Sequence, residues 1–201
     1  MLNKSQDAIN QTQNISLPLS GIEKIKRYAI IEQILYHRDN RSFQYEKDLA
    51  VKNILHYSSE GQLDAAYPFS LKPTNKTIQI ASLPGNTYHA MCAIDALGIY
   101  YLLNDSIRIV SDCPMSQETI SITMDIKTNT IQTNLPDIRI LHVDLSQSTN
   151  WATDCCTQMH FFSNQDNLVN WLKANACSNQ TYYSLTLDEA CRLAEKLFGF
   201  Y

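Results

Sequence analysis

Apolar and polar positions change rhythm several times along this chain, and each rhythm predicts an element. From Gly21 onward Ile22, Ile25, Ala29, Ile34 and Leu35 recur at helical spacing, which predicts an amphipathic helix over 21–37. A second, shorter helix is expected over 46–56, where Leu49, Val51, Ile54 and Leu55 are apolar. Ser59-Glu60-Gly61 carries turn chemistry, and 62–71 and 76–82 read as short strands linked through Lys72-Pro73-Thr74-Asn75. Two helices followed by a hairpin resemble a small winged-helix unit. Pro84-Gly85-Asn86 breaks the chain again, and residues 88–104 are apolar on almost every side, the mark of a buried helix.

The second half alternates more. Ile107 and Ile109 flank Arg108, and Ile120, Ile122, Met124 and Ile126 alternate for a whole strand. Two further strands are expected at 130–133 and 138–145; the apolar phase slips between Ile140 and Leu141, which predicts a bulge or bend. Met159 to Phe162 reads as a strand, and 165–175 as a helix with Leu168, Val169 and Leu172 inward. Thr181 to Leu185 reads as a strand, and 187–199 as a helix opened by a Thr186/Glu189 capping box.

These elements predict an α+β chain. A small N-terminal helical, winged-helix-like region (21–83) precedes a mixed, mainly antiparallel sheet with flanking helices (84–201). Residues 1–20 are polar without a sustained apolar period and predict a disordered tail ending near Pro18. Apolar residues make up 44% of the 201, enough for a real core. The net charge is −4, and the densest basic run, Lys24-Ile25-Lys26-Arg27, reads as the solvated face of the first helix. Without a basic face, nucleic acid is not an expected partner. No stretch approaches the 18 or so apolar residues of a membrane span, so no membrane partner is expected. The first 20 residues lack the apolar centre of a signal peptide, so the cytoplasm is the default location. There the six cysteines are expected as reduced thiols.

The cysteines carry the candidate chemistry. Cys92 and Asp95 sit in Met91-Cys92-Ala93-Ile94-Asp95, Cys113 precedes Pro114, and Cys155 and Cys156 are adjacent. Thiolate is a strong soft-metal ligand. On a helix, a carboxyl group three residues from a thiol shares its face. An aspartate among Ala, Ile and Leu must be paired, hydrogen-bonded or neutral; burial raises its pKa and keeps a proton on it near neutrality. Cys92 alone reads as a small core residue, and Asp95 alone as a helix carboxylate bonded to a loop. Together they suit gripping a soft metal and protonating what is bonded to it. Adjacent cysteines in a strand point to opposite faces, so one of Cys155 and Cys156 joins such a site and the other packs. Cys177, in a polar loop, and Cys191, on the apolar face of the last helix, read as bystanders.

Other chemistries fit less well. No Cys-x-x-Cys or paired Cys/His motif has structural-zinc spacing. Met159-His160 suggests copper, but Phe161-Phe162 after it makes a core strand simpler. A Cys–His nucleophile with His89 or His142 lacks any surrounding signature, and with 5 glycines no phosphate-loop or dinucleotide pattern forms.

The segment Tyr88-His89-Ala90-Met91-Cys92-Ala93-Ile94-Asp95 resembles the aromatic-x-x-x-Cys-Ala-x-Asp helix of the bacterial organomercurial (alkylmercury) lyases. Ser111-Asp112-Cys113 resembles that family's second cysteine. Asp154-Cys155-Cys156-Thr157-Gln158-Met159-His160-Phe161-Phe162 resembles its Cys-Cys-x-x-x-x-Phe-Phe strand. The resemblance covers roughly residues 46–200; before it, one clear helix stands where the family packs more helical cover. It implies that Cys92 and Cys155 grip mercury, with Asp95 the acid beside them. Cys113 would support the fold near the site, and Cys156 would be the less essential neighbour. The implied reaction is protonolysis of a carbon–mercury bond to a hydrocarbon and Hg(II). Mercury is then substrate and product, and no other cofactor is implied. Implied partners are organomercurial small molecules, low-molecular-weight thiols that release the product, and a mercuric reductase. The alternative is a non-catalytic module of the same fold that sequesters Hg(II) or Cu(I). A sequestering site has no use for a buried acid, so Asp95 favours the enzyme. A winged-helix metal sensor ranks last, because 46–56 carries two lysines against two acids.

Overall fold

The computed structural model describes residues 2–3, 21–36, 49–50, 52, 54–177 and 179–199. A two-residue strand, β1 (Leu2–Asn3), precedes helix α1 (Gly21–Leu35). The expected tail therefore contributes Leu2 and Asn3 to a sheet, and its residues 4–20 lie outside the described residues. Of the helix expected at 46–56, residues 46–48, 51 and 53 also lie outside them. Leu49 and Ala50 are helical, while Leu55–Tyr57 forms strand β2.

Seven strands follow β2 into one antiparallel sheet: β3 (Leu63–Ala66), β4 (Phe69–Ser70), β5 (Lys76–Ile80), β6 (Tyr88–Ala90), β7 (Ile107–Asp112), β8 (Thr119–Asp125) and β9 (Thr130–Thr133). Their order is β2-β3-β4-β6-β5-β7-β8-β9, so the sheet takes strands from both sides of residue 83. The alternation read from the sequence sets its inner face. Ile107 and Ile109 of β7, and Ile120, Ile122 and Met124 of β8, are buried, and Ile109 pairs with Ile122.

The smaller sheet holds β10 (Arg139–Val143), β11 (Phe161–Phe162) and β12 (Tyr182–Leu185) in the order β1-β12-β10-β11; β1 runs parallel to β12 and the other pairs are antiparallel. The bulge expected between Ile140 and Leu141 does not occur. Those residues pair in unbroken register with Leu185 and Ser184. The apolar phase slips because successive residues Ile140, Leu141, His142 and Val143 are all buried, so both faces of β10 are covered.

Helix α2 (Ala93–Leu103) packs against strands of both sheets, including β5, β6, β7 and β10. Nine of its residues are buried, as its unbroken apolar character requires. The first residues of the helix expected over 88–104 instead form β6, and Cys92 marks the helix start. Among the described residues, three further α-helices follow: α3 (Trp151–Asp154), α4 (Gln165–Asn175) and α5 (Leu187–Phe198). α5 opens on the expected capping box, with the Glu189 N–H donating to Thr186 Oγ1 at 3.3 Å and the Thr186 N–H to Glu189 Oε2 at 2.8 Å. It packs along α2 where Gly98 meets the Phe198 ring, an approach that leaves no room for a Cβ. Among the described residues, no helix is long and apolar enough to cross a membrane.

Candidate active site

Cys92 leaves β6 in extended conformation (φ −141°, ψ −178°) and caps the N-terminus of α2, its Sγ accepting the Asp95 N–H at 3.4 Å. Oxygen side chains are preferred at this position. A sulfur here is a weaker acceptor, but it lies where the helix dipole favours negative charge. Asp95 follows in the first turn, which directs its carboxyl group back toward the same end. The Ala93 N–H donates to the Met159 carbonyl at 3.1 Å, tying the helix start to the chain just beyond the cysteine pair.

That pair does not lie in a strand. Trp151–Asp154 winds into the short helix α3, and the N–H groups of Cys155 and Cys156 both donate to the Trp151 carbonyl, at 3.1 and 2.8 Å. The turn sends the two side chains different ways, as expected, but with the assignment reversed. Cys156 Sγ lies 3.7 Å from Asp95 Oδ2, a thiol-to-carboxylate hydrogen bond. The ligand atoms of Cys92, Asp95 and Cys156 all lie within 4.8 Å of one another, and all three residues are buried. Cys155 is outside that group. It is buried beside Ser148, Asp154 and Asp144; burial pushes its thiol up to about 11, against a hydrogen bond with Ser148. Alternation in a strand leaves open which cysteine faces the site, and the family resemblance implies Cys155; at this helix end it is Cys156 that joins Cys92 and Asp95.

The other cysteines stay apart from this cluster. Cys113 is buried where the chain leaves β7; its N–H donates to the Glu118 carbonyl at 2.9 Å and its carbonyl accepts the Gln117 N–H at 2.9 Å. Burial raises its thiol, but hydrogen bonds from Ser116 and its neighbours outweigh that, and the net direction is down. Cys177 is exposed, and Cys191 is buried on α5.

Burial dominates the electrostatics. It pushes the Asp95 carboxyl up to about 7, while hydrogen bonds with Cys92 and Cys156 pull the other way. It also pushes the Cys92 thiol well up, reinforced by Cys156 and Asp95. Burial holds Tyr67 as a neutral phenol, with its oxygen 3.2 Å from Cys156 Sγ. His142 on β10 shares a cavity wall with the cluster; burial lowers its imidazole to about 4, so it is neutral there. His89 is engaged elsewhere, its Nδ1 3.2 Å from the Thr74 N–H.

Two buried cations near the cluster were not singled out from the sequence. The sequence pattern places Arg27 on a solvated helix face, yet it is only 7% exposed. Its Nε donates to the Tyr67 carbonyl at 3.1 Å, and its guanidinium stacks over the Phe198 ring at 5.4 Å. Burial lowers its pKa to about 10, and Asp95 opposes the shift. Lys76 is 3% exposed, with Nζ 3.1 Å from His160 Nδ1. Burial lowers it as well, opposed by Cys92, Cys156 and Asp95. The phase of each residue was the available signal. Arg27 precedes the buried Ile30, Ile31 and Ile34 at helical spacing, and Lys76 alternates with the buried Ile78 and Ile80.

Two spaces meet at Cys156. A cavity of about 20 Å³ is lined by the three clustered residues and by Ile94, Trp151 and Phe198 among others. A larger cleft of about 310 Å³ reaches Cys156 from the side of Lys72, Lys76 and His160. Two thiols and a carboxyl group at this separation can hold a soft, low-coordinate metal and supply a proton beside it.

Residues 69–199 match the family model described as alkylmercury lyase. None of the curated proteins compared by sequence matches significantly. Among solved structures, the fold is similar to one described as the crystal structure of the mercury-bound form of MerB2. The TM-score is 0.68 at 20% identity, over 94% of this chain and 96% of that one. At that identity the likeness speaks for the fold.

Proposed function

The chain belongs to the alkylmercury lyase family, and from that premise we propose how it cleaves a carbon–mercury bond: Cys92 and Cys156 hold the mercury, and Asp95 passes the proton. The observation that carries these roles is the grouping of the three ligand atoms within 4.8 Å.

The substrate is an organic group bonded to mercury, with a thiolate as second ligand. Cys92 displaces that thiolate, which leaves with the Cys92 proton as a free thiol. Cys156 then adds to the metal, and its proton passes to the Asp95 carboxylate 3.7 Å away. Two thiolates raise electron density on mercury and weaken its bond to carbon. Asp95 protonates the carbon as that bond breaks, and the bonding pair stays with carbon. The products are a hydrocarbon, Hg(II) held by Cys92 and Cys156, and ionised Asp95. A carboxyl group raised to about 7 can both take and give this proton near neutral pH. Tyr67 donates its O–H toward Cys156 and fixes that sulfur without adding charge.

Low-molecular-weight thiols then displace Hg(II) and restore both cysteines, and a mercuric reductase is a suitable acceptor. No resident cofactor enters the scheme. A cytoplasmic setting, which keeps the thiols reduced, belongs to the same proposal. So does a winged-helix-like role for 21–83 as structural cover, supported by Arg27 of α1 reaching the site wall. Cys113 serves the fold in this reading, and Cys155 is not needed for metal capture. The test is incubation of the purified, reduced protein with phenylmercury and excess thiol. Repeated release of benzene per protein molecule is expected, and its absence contradicts the proposal.

A further inference from the structure

Among the described residues, the buried Lys76 has a hydrogen-bond partner but no carboxylate within ion-pair distance. Its contact is His160 Nδ1 at 3.1 Å, and burial, with Lys76 itself adding to the effect, lowers that imidazole to about 4. His160 is therefore neutral and accepts the bond. Its ring is fixed edge-on against Trp171 and Phe162, with centroids 5.5 and 6.3 Å away. Among the described residues no carboxylate forms an ion pair with Lys76. Lys72, on the same cleft, is already neutralised by Asp64 at 2.6 Å. The Lys–Asp–Lys set thus presents one net positive charge to a cleft of about 310 Å³ with Cys156 on its wall. Burying a cation without a partner is costly, and a monoanion placed there offsets the cost.

Size separates the two spaces at Cys156. The inner cavity, about 20 Å³, has room for about one water-sized group. An aromatic ring or a peptide-sized thiol bonded to mercury must occupy the larger cleft. We infer that this cleft is an anion-accepting subsite of the mercury site: Lys76 takes a carboxylate carried on a group bonded to the metal. The carboxylate comes from the organic arm or from the thiol that accompanies the mercurial. This inference rests on the lyase reading and adds a substrate preference to it.

The test compares three pairs of reagents: phenylmercury with 2-mercaptoethanol, 4-carboxyphenylmercury with 2-mercaptoethanol, and phenylmercury with 3-mercaptopropionate. The first has no carboxylate, the second carries it on the organic arm, and the third on the thiol. Two readouts are taken: the rate constant for mercurial capture, followed as loss of protein thiols, and the rate of hydrocarbon release. In the wild type, capture of at least one carboxylated pair is about tenfold faster than capture of the neutral pair, as one added ion pair would give. Lys76→Arg keeps the preference and Lys76→Gln removes it. Asp64→Asn frees Lys72 and raises the preference, whereas Lys72→Gln lowers it. Should Lys76→Gln fail to fold, the opposite shifts of the Asp64 and Lys72 variants decide alone. A wild-type ratio near one, or a ratio that none of these variants moves, overturns the subsite. Capture without hydrocarbon release from any pair contradicts the lyase reading while leaving the capture ratio readable.

Discussion

Cys156, and not its neighbour Cys155, places its sulfur 3.7 Å from the Asp95 carboxylate, although one peptide bond separates the two cysteines. The end of a short helix sorts them. Cys156 turns toward the N-terminus of α2, and Cys155 toward Ser148 and Asp154. The relationship predicts an unequal mutational outcome. Cys92→Ser and Cys156→Ser each abolish hydrocarbon release, because a single thiolate cannot complete the grip. Cys155→Ser keeps most of it, with stability reduced by about 1 kcal/mol for a changed buried contact. Benzene release by the three variants, normalised to folded protein, checks this. Equal loss in all three would show that the pair acts as a unit.

Asp95 also predicts a pH signature in stability. Its folded pKa, about 7, lies above the ordinary carboxylate value of 3.8, so the folded state holds the proton more tightly. The resulting stabilisation is fully present below pH 3.8 and is lost as pH rises through about 7. Asp95→Asn removes this titration. The stability of the wild type minus that of Asp95→Asn should therefore fall between pH 4 and 7, roughly the window between the two pKa values, and then level off. Denaturant unfolding of both proteins across that window measures it. A flat difference would place the Asp95 pKa near that of an exposed carboxylate.

The packing of α2 against α5 supplies a third expectation. A Cβ at Gly98 would collide with the Phe198 ring, which also lines the inner cavity and carries the Arg27 guanidinium. Gly98→Ala should destabilise the protein by about 1–3 kcal/mol through overpacking, despite the better helix propensity of alanine. It should also slow hydrocarbon release, because displacement of Phe198 disturbs the wall shared with Cys92 and Asp95. Thermal unfolding and a benzene assay on the same sample separate the two effects. Unchanged stability would mean that the ring yields freely.

The elements with clean periods were legible in the sequence. β8, α4 and the capped α5 fall within a residue or two of the expected bounds, because alternation, apolar phase and the Thr186/Glu189 pair are local signals. Cys92 and Asp95 were legible for the same reason, being three residues apart on a helix. Cys156 was not. Its direction depends on where α3 ends, and the residues around it resemble a strand as much as a turn. β10 misled through burial on both faces, which erases alternation. Arg27 and Lys76 were hidden because a charged residue in an apolar phase is ordinarily read as a surface position. Only the tertiary fold brings α1 and β5 to the thiols.

The most direct measurement follows benzene in the headspace and mercury bound to protein together, for wild type and Asp95→Asn given phenylmercury with excess thiol. The wild type should release benzene over many turnovers. Asp95→Asn should still bind mercury through Cys92 and Cys156 but release benzene about 10²–10⁴-fold more slowly, the usual contribution of a positioned acid. A wild type that binds phenylmercury stoichiometrically and releases no benzene would contradict the account and leave a protein that sequesters mercury without cleaving its bond to carbon.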